Sequence, residues 1–284
     1  MFSLVIGVGM VFKFFPVFLL LPLVLLAEKR LLRAVGYMAL SLWLYLPTSL
    51  LFWGRTGDAG FFNQLMIERI FAQAFPGGVA DASLFLLLLA LTCVAARLWQ
   101  PADRNALGRA AVYLGLVVFG LLFAFVYWHP QWLILLVPFS ILTGLQLRDK
   151  TLFALMQGIF CAGFFLLIAM LYSGQLEANL IDGGVIALIS GFYFSLVENA
   201  RSTGFYFSLI PYLNDLAPVF FYGPLLAELV FKLPVGKTVL ADRLCPGQRP
   251  FSYRLSCWGI FIVSFGGFWA GPVLFSWLKA MGVL

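Results

Sequence analysis

Charged residues are unusually few in this sequence. Charged residues make up 11% of its 284 residues, whereas a soluble domain usually carries about 25%. Hydrophobic residues make up 63% of the chain, and its mean hydropathy is +1.00. A chain this apolar cannot cover a water-facing surface, so the composition excludes soluble enzymes, secreted disulfide scaffolds and disordered proteins. The sequence therefore predicts a multi-pass integral membrane protein, which we assign to a bacterial inner (plasma) membrane.

Histidine and paired cysteines are equally scarce. His129 is the only histidine, and none of the four cysteines has the spacing of a metal-ligating or redox pair. We therefore predict neither a metal site nor another cofactor. Basic residues exceed acidic ones by six, but they fall mostly in short loops between apolar runs and form no nucleic-acid motif. We accordingly predict membrane lipid, and no nucleic acid, as a partner.

Long apolar runs are what the sequence has in abundance. A spanning helix needs about 20 apolar residues. We predict an all-α fold, a polytopic transmembrane helix bundle of about eight or nine spans, forming a single domain over residues 1–284. The candidate spans are residues 4–27, 34–54, 82–98, 110–127, 131–147, 151–172, 183–197, 216–231 and 257–278.

The loops between these runs alternate in charge. Basic excess occurs in 28–33, 97–109 and 148–150, whereas 55–81 and 173–182 are net acidic. The positive-inside rule then places the three basic loops in the cytoplasm and 55–81 outside. Continued along the chain, the same count puts the strongly basic loop 232–254 outside, so the simple alternation fails. One segment between 183 and 231 is therefore expected not to cross in the simple way.

The longest outer loop has an amphipathic pattern. Residues 61–75 carry an apolar stripe at helical spacing, with Arg69 on another face. This pattern is typical of a helix lying on the membrane surface, and we predict one over 61–75. Arg69 is a candidate phosphate ligand because its guanidinium forms a planar fork, although a solvated face residue is the alternative.

Two further features place polar groups near the outer interface. Lys13 lies in an apolar run three residues before Pro16, and a continuous helix would put it about 21 Å from Glu28, in the outer half of the bilayer core. His129 and Gln131 flank Pro130 at a joint rich in tryptophan. Either feature can be a phosphate site; the alternatives are a snorkelling lysine and an interfacial aromatic belt. Glu228 and Lys232, four residues apart, we interpret as a structural pair.

Together these segments resemble the GT-C superfamily of membrane glycosyltransferases, above all the polyprenol-phosphate-mannose-dependent mannosyltransferases. VFKFFPVFLLLPLVLLAEKRLLRA (11–34) looks like the family's K-x-x-P segment, FFNQLMIERIF (61–71) is similar to its Asn-Gln…Arg segment, and HPQWLILLVPF (129–139) looks like its outer joint. The resemblance covers about residues 5–150. We therefore divide the domain into GT-C-like helices over 1–172 and additional membrane helices over 173–284.

The resemblance implies transfer of a sugar, a hexose such as mannose, from a polyprenyl-phosphate donor to an extracytoplasmic acceptor. Lys13, Arg69, His129 and Gln131 would hold the phosphate of the polyprenyl-phosphate-linked sugar. The family's catalytic carboxylate precedes its lysine–proline segment, and no residue here matches it. Asp58 is the best remaining outer-loop carboxylate, although a solvated loop acid is the favoured interpretation. The chain is thus expected to lack the N-terminal catalytic part or to be a degenerate relative, and to show little transfer alone.

Two other classes remain open on the same residues. A non-enzymatic carrier or flippase for lipid-linked sugars would use the same phosphate ligands without a catalytic acid. A transporter of small solutes would show inverted repeats and paired charges near the midplane, and the sequence shows neither.

Overall fold

The chain is mostly helical. The structure, a computed structural model, describes residues 2–12, 15–51, 70–71, 74–75, 82–126, 128, 130–172, 216–244, 278 and 281–282. Helices account for 81% of the residues it describes. Two compact units divide the chain, one formed by Met1–Gln146 with Lys232–Arg243 and the other by Leu147–Phe231 with Leu244–Leu284.

The first apolar run is two helices, not the one predicted over 4–27. Helix α1 is Phe2–Phe12 and helix α2 is Pro16–Ala27, of 11 and 12 residues. Pro16 begins α2, a position where the missing N–H of proline costs nothing. At 1.5 Å per residue each helix is about 17 or 18 Å long, which is short of the roughly 30 Å of a bilayer core.

Helix α3, Leu31–Leu51, packs along α1. A methyl group added at Gly7 would overlap the backbone carbonyl of Ser41, so the two helices approach closely there. The Ser41 hydroxyl donates to the Met38 carbonyl at 2.7 Å and is fully buried. A small residue on one helix and an internally bonded hydroxyl on the other permit this packing.

A short antiparallel hairpin follows, with strand β1 at Ala74–Phe75 and strand β2 at Ala82–Ser83. The predicted surface helix over 61–75 is therefore wrong at its end, because its last two residues, Ala74 and Phe75, form a strand. Ile70 is helical and Phe71 lies in a turn, whereas 61–69 lie outside the described residues. Apolar residues at helical spacing do not exclude a short strand at the end of the segment.

Helix α4, Leu84–Leu98, and helix α5, Arg104–Phe125, form the centre of the first unit with α2. Ser83 and Asp103 cap them through the backbone N–H groups of Leu86 and Ala106. Such side-chain acceptors satisfy amide groups that have no partner inside the helix. Within the described part of the chain, Arg104–Phe125 is the only helix long and apolar enough to cross a membrane.

The core between these three helices defines their directions. The buried cluster contains two residues late in α2, one late in α4 and two early in α5: Leu23, Leu26, Ala96, Ala110 and Leu114. Helices α2 and α4 therefore run in the same direction, and α5 returns. One end of the unit holds the C-termini of α2 and α4, and the other holds their N-termini.

The run predicted as a span over 131–147 is broken. Pro130–Leu135 is a 3₁₀ helix, and helix α6, Val137–Gly144, has only eight residues. Both pieces begin at or beside a proline, Pro130 and Pro138, because proline fits the first turn of a helix but not its interior. Phe139 of α6 stacks on Phe119 of α5 with ring centroids 5.5 Å apart.

The second unit contains helix α7, Lys150–Tyr172, and helix α8, Leu216–Phe231, packed on each other. A methyl group at Gly163 would overlap the backbone of Phe220 and Phe221. Phe160 stacks on Phe221 at 4.8 Å, and the Gln157 amide donates to the buried Glu228 carboxylate. Close backbone approach and one interhelical polar contact hold this pair together.

The last described segment of the first unit is a second hairpin. Strands β3, Pro234–Val235, and β4, Thr238–Val239, pair antiparallel and lead into helix α9, Leu240–Leu244. Gly236 takes φ +68° in the turn, a conformation that favours glycine. Arg109 Nη2 donates to the Gly236 carbonyl at 3.0 Å, so the hairpin lies at the end of the unit where α5 begins.

The first unit exposes many apolar side chains and also buries several polar ones. Apolar side chains on α3 face outward, with Leu32 90% and Trp43 53% exposed, and α4 exposes Leu91 by 57%. Polar side chains are buried in the same unit: Ser3, Ser41, Ser83, Thr92, Ser140, Thr143 and Lys232. The core itself is mostly apolar, with Phe85, Leu116 and Phe123 fully buried.

Candidate functional site

Of the four predicted phosphate ligands, the structure describes one. Gln131 lies in the first turn of the 3₁₀ helix and is exposed. Lys13, Arg69 and His129 lie outside the described residues, as does Asp58. The convergence of the four side chains therefore stays a prediction, but the contacts of their neighbours in the chain bear on it.

The residues that follow Lys13 and His129 meet each other. Phe15, two residues after Lys13, packs on Trp132, three residues after His129, with ring centroids 4.4 Å apart and planes at 55°. The two side chains are 2% and 8% exposed. Because both rings are buried in one contact, the residue before α2 is held against the 3₁₀ helix.

The residue that follows Arg69 is tied to the same region. Ile70 is buried, and its carbonyl accepts a 2.6 Å hydrogen bond from the Ser83 hydroxyl. Ser83 also accepts from Leu86 N at the start of α4. One buried hydroxyl therefore joins Ile70 to the N-terminus of α4.

An edge-to-face ring pair completes the connection. Phe18 in the first turn of α2 meets Phe85 in the first turn of α4 at 5.0 Å and 86°. We call the set Phe15, Phe18, Ile70, Ser83, Phe85 and Trp132 the aromatic end. Its contacts link the chain neighbours of Lys13, Arg69 and His129 to the 3₁₀ helix that carries Gln131.

The tryptophans of the joint are interior residues. Trp128 is 7% exposed, and its indole Nε1 donates to the Phe123 carbonyl at 2.8 Å. Its ring meets Phe123 edge-on at 5.3 Å. An interfacial aromatic belt requires rings at the surface. The belt interpretation therefore does not hold for Trp128 and Trp132.

At the opposite end of the unit, Lys29 binds several backbone carbonyls. Its ammonium donates to the carbonyls of Leu25 at 3.2 Å and, across the core, of Ala96, Arg97 and Trp99 at 3.1, 2.9 and 2.9 Å. These acceptors lie in the last turns of α2 and α4 and just beyond, where backbone carbonyls lack helical partners. Lys29 thus caps two helix C-termini at once. The sequence analysis counted Lys29 only as a loop charge, because the three carbonyls that it binds across the core are 67 to 70 positions away.

The environment of Lys29 acts on its protonation in two directions. Desolvation, and secondarily the nearby Arg97 charge, lower the pKa of the ammonium below its ordinary value. The four carbonyl dipoles favour the charged form instead. We assign Lys29 a structural role and not a catalytic one, because its ammonium already donates to four backbone carbonyls.

Arg109 provides a second anchor at this end. Its Nη2 holds the Gly236 carbonyl, and Arg243 Nη2 donates to the adjacent Val235 carbonyl at 3.2 Å. We call Lys29, Arg104, Arg109 and the 234–239 hairpin the basic end. The described part of the 232–254 loop therefore lies at the same end of the unit as the start of α5.

One buried charged side chain occurs in each unit. Lys232 is fully buried and donates to the carbonyl and hydroxyl of Ser140 at 3.0 and 3.1 Å. Glu228 is 3% exposed and accepts from Gln157. Each side chain thus has a polar partner that spacing alone did not indicate. The predicted pairing of the two with each other stays a prediction.

No group of histidine, cysteine and acidic residues in the described part of the chain could hold a metal ion. Comparison with protein-family models, curated proteins and solved structures finds no match to this chain. The function of this chain is therefore inferred from the contacts described above and from the sequence resemblance.

Proposed function

We propose that this chain is a multi-pass membrane protein that binds a polyprenyl-phosphate-linked sugar at its aromatic end. The exposed apolar side chains, such as Leu32, and the buried hydroxyl groups support the membrane environment, because both suit hydrocarbon better than water. The two helices α1 and α2 are each too short to cross alone, and we propose that they form a broken span with the chain reversal or kink buried in protein.

The two ends then face opposite sides of the membrane. The basic end carries Lys29, Arg104 and Arg109, and the described part of the 232–254 loop joins it through Gly236. We propose that this end is cytoplasmic, because basic residues concentrate there. The aromatic end is then extracytoplasmic, in the leaflet where a lipid-linked sugar donor would be used.

The single observation that carries the site is the buried contact of Phe15 with Trp132. It supports the approach of the Lys13 segment to the segment of His129 and Gln131, and the Ser83–Ile70 hydrogen bond supports the same for Arg69. Two permanent cations and two hydrogen-bonding side chains suit a phosphate diester. The apolar rings beside them suit the first units of a polyprenyl chain.

We propose glycosyl transfer as the reaction, in line with the GT-C resemblance. The donor would be a polyprenyl-phosphate-linked hexose such as mannose, and the acceptor an extracytoplasmic hydroxyl. Lys13 and Arg69 would stabilise the phosphate as it leaves the sugar. We assign no catalytic base.

A carrier or flippase for the same lipid-linked sugar is the second candidate. A carrier needs the phosphate ligands but no base. Transport of small solutes is the third and weakest candidate, since it makes no use of a lipid phosphate.

The decisive experiment separates donor binding from transfer. The full chain in nanodiscs is titrated with polyprenyl-phosphate mannose, and mannose transfer to an added acceptor is measured in the same sample. We expect saturable binding that Lys13→Met weakens by roughly 1–3 kcal/mol, the scale of a charge-assisted contact. Arg33→Met, which removes an exposed cation at the other end, is the matched control and should bind normally.

The outcomes distinguish the candidates. Binding together with turnover assigns a transferase and makes Asp58 the first carboxylate to mutate. Binding without turnover assigns the carrier or a catalytically incomplete relative. Equal losses in both variants, or no saturable binding, would refute the site.

The orientation is tested separately by single-cysteine labelling in a background without native cysteines. A membrane-impermeant maleimide should label Asp58→Cys from the outside and Asn105→Cys only after the membrane is opened. The reverse pattern would invert the topology and with it the proposed location of the donor.

A further inference from the structure

The basic end contains an open cavity of about 480 Å³ that the proposed transfer does not use. Arg104, Asn105 and Arg109 line it from the first turns of α5, and Gln146 lines it from the segment after α6. Two arginines face it, and no acidic residue is among its lining side chains. An anion entering this cavity would therefore meet positive charge without a competing carboxylate.

The acidic residue that precedes Arg104 in the chain is already engaged. Asp103 caps α5, its carboxylate accepting from the backbone N–H of Ala106 at 2.6 Å. Its charge is held against the helix N-terminus, where the amide dipoles favour it. Arg104 is exposed beside it, so its guanidinium remains available to a ligand in the cavity.

Two lining side chains carry polar atoms that the described residues leave unsatisfied. Arg109 Nε, a donor, and Gln146 Oε1, an acceptor, are buried without a hydrogen-bond partner. Arg109 is held through Nη2 by Gly236, and Gln146 makes one long contact of 3.4 Å to the Leu142 carbonyl. Both atoms are closed off from solvent in this arrangement, so a ligand would reach them only after the side chains turn toward the cavity. A buried unpaired donor or acceptor is costly, which favours such a rearrangement when a polar ligand is present.

The space at Gly108 contributes to the volume of the cavity. A Cβ added at this position on α5 would meet no atom within 4 Å, and the residue is exposed. A large side chain there can therefore enter the cavity without displacing protein. Gly108 lies one turn after Arg104 on the same face of α5, so the absence of a side chain there leaves space beside Arg104.

We propose that this cavity binds a phosphate ester. A phosphate supplies acceptors for both guanidinium groups, and an ester that also carries a hydroxyl supplies a donor for Gln146. The same chemistry is offered by the headgroup of an anionic lipid such as phosphatidylglycerol and by a free ester such as glycerol phosphate. The site lies at the opposite end of the unit from the aromatic end and is independent of sugar transfer.

The test measures binding by the full-length chain from both sources. In the first arm, nanodiscs of phosphatidylcholine with and without phosphatidylglycerol are compared by native mass spectrometry of retained lipid. In the second arm, glycerol phosphate and inorganic phosphate are titrated against the protein in a neutral detergent. Arg104→Gln and Gly108→Trp are the site variants. Arg33→Gln and Gly36→Trp are the matched controls, because Arg33 and Gly36 are exposed on α3 and a Cβ at Gly36 also meets no atom within 4 Å.

We expect each site variant to weaken binding about tenfold, the effect of one lost charge-assisted contact, and the controls to leave it unchanged. Retention of phosphatidylglycerol with this pattern assigns the lipid headgroup, and saturable glycerol phosphate binding with this pattern assigns the free ester. Equal losses in the controls would reduce the effect to general charge attraction and overturn the site. Absence of saturable binding in both arms would overturn it as well. If Gly108→Trp unfolds, Gly108→Leu takes its place, and Arg104→Gln still decides the outcome.

Discussion

The two ends of the first unit are held together by different forces. At the aromatic end, rings from α2, α4 and the 3₁₀ helix pack on one another, as in the pairs Phe15–Trp132 and Phe18–Phe85. At the basic end, cations bind backbone carbonyls, as Lys29 does for two helices and Arg109 for the hairpin. The contrast follows from helix direction. Helices α2 and α4 finish together, so their unsatisfied carbonyls gather at one end and require donors there.

The largest expected effect breaks the aromatic end. Phe85 is fully buried, so Phe85→Ala should lower the free energy of unfolding by about 3 kcal/mol through lost contacts and a cavity. Leu87→Ala, on the same helix but 47% exposed, is the control and should cost far less. Both are measured by unfolding in mixed micelles of increasing sodium dodecyl sulfate. A similar cost for the two would show that ring packing does not define this end.

A somewhat smaller effect breaks the basic end. Lys29→Met keeps the length and apolar stem of the side chain but removes its donors to four carbonyls. We expect a loss of about 2 kcal/mol in the same unfolding assay. Arg33→Met, an exposed cation one turn further along the chain, should be within error of the parent protein. If both variants behave alike, the carbonyl cluster contributes nothing specific.

The smallest effect tests the turn of the hairpin at the basic end. Gly236 has φ +68°, so Gly236→Ala should destabilise by about 1 kcal/mol because a side chain is strained there. Gly36→Ala is the control on helix α3 and should be neutral or slightly stabilising, since alanine favours helices. A stabilising Gly236→Ala would mean that the turn conformation differs from the one described.

The helical class could be predicted from the sequence because hydropathy detects long apolar runs. The breaks within those runs were harder to place. Pro16 and Pro130 indicate helix starts, but only the folded chain decides whether a proline kinks a span or divides it into two helices, as it does over 4–27. Caps such as Asp103 depend on near neighbours and are readable locally.

The candidate site was predictable only as a set of residue types. The sequence placed Gln131 in a joint between two apolar runs, and the structure has Gln131 in a 3₁₀ helix that begins at Pro130. The buried contacts around that joint, such as Ser83 with the Ile70 carbonyl, join positions 13 residues apart through a hairpin that the apolar stripe did not indicate. The role of Lys29 was missed for the same reason, because its acceptors are brought to it by tertiary packing and not by sequence neighbours.

The parallel course of α2 and α4 has an electrostatic consequence at their shared end. Each helix C-terminus behaves as about half a negative charge, so two that finish side by side amount to roughly one. The Lys29 ammonium, bonded to carbonyls of both, is in effect a covalently attached counterion to this negative pole. A variant without the ammonium would leave the pole uncompensated, and we expect its stability, unlike that of the parent protein, to depend on the concentration of monovalent cations in the medium.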